Sequence, residues 1–155
     1  MVSVFIGFGG AKAEEVARKL EIFLRSDTRL ETFLASPESS ALALTVNFKL
    51  EIEKNLLDCN VAVFVCHENT SRSIPMKKEI DLLFSKNFEN KIISFAVSDT
   101  CIPKKLRENK WHPLHFPPEK PEESFCRLLN WIYRCYIELK ELTTVTTEGA
   151  EMVRQ

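Results

Sequence analysis

The segment NVAVFVC at residues 60–66 decides the fold of this chain. Its apolar side chains follow one another without the alternation of a strand that has one face in water, so we expect both of its faces to be covered. This pattern predicts a strand in the middle of a parallel sheet. The segment KIISFAV at residues 91–97 predicts a second strand of the same kind.

The N-terminal segment has the pattern of a strand, a turn and a helix. Residues 2–8 (VSVFIGF) are rich in β-branched and aromatic residues and are followed by Gly9 and Gly10, which predicts a buried strand that ends in a tight turn. Between Ala13 and Leu24 the apolar side chains recur with the helical period, which predicts an amphipathic helix.

The same alternation continues along the rest of the chain. Periodicity and turn residues predict two more strands and four more helices: strands at 29–35 and 111–116, and helices at 46–57, 75–84, 102–108 and 125–139. Five strands that alternate with helices predict an α/β fold, a flavodoxin-like five-stranded parallel sheet in the order 2-1-3-4-5 with helices on both faces. We expect a single domain at residues 1–142 and a disordered polar tail at residues 143–155.

The composition excludes several classes of function. The 155 residues carry 21 Lys and Arg against 22 Asp and Glu, so no net field attracts nucleic acid or anionic lipid. The apolar runs are too short to span a membrane, and no signal-peptide pattern is present at the N-terminus, so we expect a cytoplasmic protein. An odd number of cysteines, five, without a Cys-x-x-Cys pair argues against a disulfide framework and a zinc site.

In a parallel α/β sheet, ligands bind at the carboxyl ends of the strands, where the sequence has glycines and a histidine. The glycines at residues 7–10 indicate either a tight turn or a close approach of phosphates to the backbone. Their spacing matches neither the dinucleotide-binding fingerprint nor the P-loop. His67 follows the central strand, where it could contact a ligand or cap a neighbouring backbone group. The three histidines form no metal-binding pair on a helix, so we expect no metal.

Glu79 is the strongest candidate for a functional side chain. At about 100° per residue it lies about 60° from the centre of the apolar stripe of its predicted helix, so it borders the core. A carboxylate there can be partly desolvated and directed at a ligand. The alternative is an ordinary boundary glutamate paired with Lys78 or Lys86.

Four segments together resemble Toll/interleukin-1 receptor (TIR) domains, and the chain is most similar to the stand-alone prokaryotic type. They are VFIGF at 4–8, LLDCNVAVFV at 56–65, SRSIPMKKEI at 71–80 and IISFAV at 92–97. In the third segment Ser73 lies six residues before Glu79, similar to the family's Ser-x-Trp-x-x-x-Glu pattern. The chain has Pro75 at the family's tryptophan and Gly7 where serine is common.

The resemblance implies a function in defence or signalling. Catalytic members cleave NAD at the nicotinamide–ribose bond with the helix glutamate, which implies Glu79 as the catalytic residue and a glycohydrolase or cyclase activity. NAD is then the substrate and no separate cofactor is needed. The resemblance also implies self-association through TIR–TIR contacts. The residues expected to bind the nucleotide or gate the site are Phe8, Gly9, Ser36, His67 and Ser73, of which Ser73 could instead hold the start of the helix.

Two alternatives remain open at this point. A non-catalytic TIR-like module that self-associates or senses a nucleotide is favoured by the absence of the family's tryptophan and serine. A nucleoside deoxyribosyltransferase-like enzyme would have the same architecture and a helix glutamate, but that family's Asp-x-Gly-Thr run is not matched by residues 67–70 (HENT).

Overall fold

The computed structural model describes residues 1–35, 46–107, 109 and 111–154, and only the backbone of residues 46, 47 and 143–154. The strands of this part of the chain are β1 (Val2–Gly9), β2 (Leu30–Leu34), β3 (Val61–Cys66), β4 (Ile92–Ala96) and β5 (Leu114–His115). They form one parallel sheet in the order β2-β1-β3-β4-β5. The predicted fold class and strand order are confirmed.

The central strand of the sheet is β3, as its unbroken apolar run predicts. It pairs with β1 on one side, where Phe64 lies opposite Gly7, and with β4 on the other, where Phe64 lies opposite Ser94. Every residue of β3 is buried. Two covered faces remove the need for a polar side chain at alternate positions.

Helices cover both faces of the sheet, as predicted. They are α1 (Ala11–Arg25), α2 (Val46–Asp58), α3 (Ile74–Ser85), α4 (Lys104–Arg107) and α5 (Phe125–Arg154). One core cluster joins α1 and α5 to the sheet, and a second joins α2, α3 and α4 to the opposite face. The sheet thus separates two cores. Successive side chains along a strand point to opposite faces, so each contributes to one core or the other.

Local chemistry explains where α1 and α3 begin. Gly10 precedes α1 with a φ of 95°, a conformation that is costly for residues with a Cβ atom. Ser73 precedes α3, accepts a hydrogen bond from the backbone N–H of Met76 at 3.4 Å, and is followed by Pro75 in the first turn. Serine as the cap and proline at the start are both favoured at helix N-termini.

The fifth strand and the last helix differ most from the sequence prediction. The fifth strand is limited to Leu114–His115, because Pro113 has no N–H to donate, and Trp111 instead donates its indole N–H to the carbonyl of Asn90 at 3.0 Å. The helix α5 continues to Arg154, through the segment expected to be a disordered tail. The apolar stripe indicates where a helix is packed, and the hydrogen-bonded backbone can continue beyond it.

The predicted loop at residues 36–40 lies outside the described residues. Among the helices of the described part, none has both the length and the apolar character that crossing a membrane requires.

Candidate functional site

The two helices α2 and α3 enclose a groove of about 810 Å³, here called the α2–α3 groove. Most of its surface is apolar, and the apolar lining residues come from both helices: Phe48, Ile52, Leu56, Ile74, Pro75 and Leu82. Glu79 lines the same groove from α3. The groove volume falls within the range of about 300–1,000 Å³ that is usual for small-molecule sites.

The Glu79 side chain is half-buried, and no described residue compensates its carboxyl group. No hydrogen bond or ion pair joins its carboxyl group to any other residue in the described part of the chain, and this includes Lys78 and Lys86. Burial raises the pKa of Glu79 from 4.5 to about 8, because a low-polarity environment disfavours the charged form. The group is therefore mostly neutral at pH 7, and a cation beside it would favour its ionisation.

Ser73 holds the start of the helix that carries Glu79. Its hydroxyl oxygen accepts from the backbone N–H of Met76, so the structure gives it the second of the two roles expected from sequence. Glu79 lies six residues farther along, about one and a half turns down α3. Any direct contact between Ser73 and a ligand remains a prediction.

Gly9 is placed against the same end of α3. A Cβ atom at this position would lie 2.9 Å from the Cβ of Ser73 and 3.0 Å from the sulfur of Met76, closer than packed carbon atoms tolerate. The Gly9 carbonyl also accepts a hydrogen bond from the hydroxyl of Thr70. The missing side chain allows the end of β1 to pack directly on the first turn of α3, so Gly9 helps to position the helix of Glu79.

Phe8 lies on the opposite face of the sheet from Glu79. Its half-buried ring packs with the core cluster under α1 and α5, whereas α3 packs on the other core. This separation follows from the alternation of side chains along β1, which directs Phe8 and Gly9 to different faces. The structure therefore does not bring Phe8 together with Glu79.

His67 also belongs to the side of the sheet covered by α1 and α5. Its ring lies 6.1 Å from that of Phe116, its Nδ1 accepts from the backbone N–H of Glu68 at 2.8 Å, and the backbone N–H of His67 donates to the Thr70 hydroxyl at 2.7 Å. Burial, and then the Lys12 ammonium, lower the pKa of His67. These contacts give it the backbone-capping role that was one of its two expected roles. Ser36, the remaining predicted site residue, lies outside the described residues.

The α2 wall of the groove was not anticipated from sequence. It contributes Lys49 and Glu53, and α3 adds Lys78 and Asp81. The amphipathic pattern of α2 indicates that one face of this helix is buried, but not that the helix lies beside α3. In the described ranges, no three His, Cys, Asp or Glu side chains are grouped so as to hold a metal ion.

Comparison with known proteins gives a likeness of fold. No family model matches the chain, and no curated protein matches it in sequence. A solved structure described as a crystal structure of a prokaryotic SEFIR domain matches with a TM-score of 0.63. The match covers 86% of this chain and 93% of that chain at 13% sequence identity. The likeness is one of fold, and we conclude that the chain shares the parallel α/β fold of that domain.

Proposed function

We propose that the protein is a TIR-like glycohydrolase or cyclase that cleaves the nicotinamide–ribose bond of NAD, with Glu79 as its catalytic residue. The observation that supports this proposal is the half-buried carboxyl group of Glu79, which lines the α2–α3 groove and has no partner in the described part of the chain. Carboxyl groups with a strongly perturbed pKa in a cleft are frequent in catalytic sites.

A single carboxyl group is sufficient for this reaction. Ordinary glycosidases use a second one to protonate the leaving oxygen. In NAD the bond between ribose C1 and the nicotinamide nitrogen breaks, and its electron pair neutralises the pyridinium, so the leaving group needs no proton. Ionised Glu79 stabilises the oxocarbenium-like ribosyl cation. Water then adds to C1 and loses a proton to this carboxylate or to solvent.

The pKa of Glu79 is compatible with this role. Nicotinamide in NAD carries a positive charge, and an opposite charge within a few ångströms favours the ionised form of a carboxyl group. Binding of NAD would therefore ionise a group that is mostly neutral in the free protein at pH 7. The apolar walls of the groove strengthen the attraction between the carboxylate and the developing ribosyl cation, because they exclude water from it.

The direct test is release of nicotinamide from NAD by concentrated protein, compared with the Glu79→Gln variant. We expect the variant to lose about 10²-fold or more of the activity, in the range found when one electrostatic group is removed from an active site. Glu15→Gln, on the exposed surface of α1, is the matched control and should retain full activity. Circular dichroism verifies that both variants are folded. Equal activity in wild type and Glu79→Gln would refute the proposal.

A second candidate is a non-catalytic module that self-associates through the same groove. It is favoured by Ile74, a large apolar side chain of α3 that lines the groove and is 65% exposed. Sedimentation at increasing concentration separates the two candidates. Self-association that Ile74→Ser weakens, with no nicotinamide release at any concentration, would favour the module.

A further inference from the structure

The α2–α3 groove carries one cationic side chain on each of its walls. Lys49 lines it from α2 and Lys78 lines it from α3. Both side chains are exposed to solvent. Two ammonium groups on opposite walls can approach one ligand from two sides.

Neither ammonium group is neutralised by an acid in the described part of the chain. No ion pair joins Lys49 or Lys78 to another described residue. Asp81, the acidic residue on the α3 wall, is occupied by Lys105, whose Nζ lies 2.8 Å from its carboxylate. Glu53 remains as the acidic residue on the α2 wall. With respect to the described residues, the groove thus presents two unpaired ammonium groups and one unpaired carboxylate, together with the mostly neutral Glu79.

We infer that the α2–α3 groove binds the pyrophosphate of a dinucleotide between Lys49 and Lys78. This inference rests on the proposed function, and it makes the two lysines determinants of substrate class. Lys78 and Glu79 both line this groove, so a phosphate held by Lys78 lies in the same groove as the carboxyl group. In a dinucleotide only a few ribose atoms separate C1 from the pyrophosphate. A pyrophosphate bound in the groove therefore keeps C1 in the same groove as Glu79.

The consequence is selection between substrates of different charge. A nicotinamide riboside offers the same scissile bond but has no phosphate, so it gains nothing from the lysines. NAD offers a pyrophosphate that both lysines can contact. The attraction between the lysines and the pyrophosphate is electrostatic and the site is partly exposed. The affinity for NAD should therefore decrease as the salt concentration rises.

Calorimetric binding of ADP-ribose, which keeps the pyrophosphate and has no bond to cleave at C1, tests this inference independently of turnover. We expect Lys49→Gln and Lys78→Gln each to weaken binding about three- to tenfold, as for a partly exposed ion pair. Lys77→Gln, exposed on the same helix but not part of the groove lining, is the matched control and should bind as wild type does.

Kinetics provide a second readout. The ratio of kcat/KM for NAD to that for nicotinamide riboside should fall in both lysine variants and stay constant in Lys77→Gln. Lysine-dependent binding of ADP-ribose without any NAD cleavage would support the binding site and refute the proposed reaction. Wild-type protein that binds no ADP-ribose, or a double lysine variant that binds it as tightly as wild type, would overturn the inference.

Discussion

The two faces of the sheet are covered in different ways. Under α1 and α5 the core is closed by aromatic contacts: Phe95 lies 4.6 Å from Phe116 and 6.1 Å from Phe125 between ring centroids. Under α2 and α3 the residues next to the sheet are equally buried, but the two helices leave the α2–α3 groove between them. One face therefore provides packing, and the other combines packing with an open site.

The environments of two acidic residues, Asp27 and Glu79, show the same contrast between the two faces. Asp27, near the end of α1, accepts hydrogen bonds from Arg29 at 2.9 Å and from the hydroxyl of Tyr133 on α5 at 2.7 Å. Hydrogen bonds from Arg29 hold the pKa of Asp27 well below its usual range. Glu79 has no such partner among the described residues, and burial moves its pKa upward. Asp27 therefore has a structural role in joining α1 to α5, whereas the environment of Glu79 lowers stability when the group is charged.

The largest effect is expected from removing an aromatic ring of the closed face. Phe95→Ala should lower the free energy of unfolding by about 3–5 kcal/mol, because the cavity it leaves is enclosed on all sides. Ile74→Ala at the groove is the comparison variant and should cost under about 1 kcal/mol, since its side chain is already 65% exposed. Urea denaturation measures both. Similar losses for the two variants would show that the faces do not differ as described.

The next effect concerns Glu79 and pH. The pKa of Glu79 is about 8 in the folded protein, against an ordinary value of 4.5. Folding therefore favours the neutral form, and the resulting stabilisation is fully present below about pH 4.5 and is lost as pH rises through about 8. Glu79→Gln should match wild type at pH 4 and exceed its free energy of unfolding by roughly 2–4 kcal/mol at pH 9.

Denaturation at both pH values, with Glu15→Gln as the control, checks this prediction. A Glu79→Gln variant that is less stable than wild type at pH 9 would mean that the carboxylate has a stabilising partner. A variant that is more stable but inactive would strengthen the contrast between the two faces of the sheet. It would show that the face with the groove keeps the Glu79 carboxyl group for activity although this group lowers stability.

Much of the fold could be predicted from local sequence because its signals are local. The segment at residues 60–66, apolar from Val61 onward, predicts β3 to within one residue, and Pro75 predicts the start of α3. The short β5 and the long α5 were less predictable. The length of β5 depends on Pro113 and on the hydrogen bond from the Trp111 indole N–H. The length of α5 depends on a helical backbone that continues beyond its apolar stripe.

The candidate site was predicted less completely, for a different reason. The apolar stripe of α3 correctly placed Glu79 at the edge of the core. The resemblance implies that Phe8 and Gly9 both line the nucleotide pocket. The structure packs Phe8 on the α1 and α5 side of the sheet and Gly9 against α3 on the other side, because successive residues of a strand face opposite sides. The α2 wall with Lys49 depends on the packing of two helices distant in sequence, which no local pattern indicates.

The most direct test of the central claim, that Glu79 acts as a desolvated carboxylate, is the pH dependence of kcat/KM for NAD cleavage. This parameter reports the ionisation of the free protein. We predict that it rises about tenfold per pH unit up to about pH 8, the pKa of Glu79, and is constant above it. A profile that is flat between pH 6 and 9, or that falls with rising pH, would contradict the account.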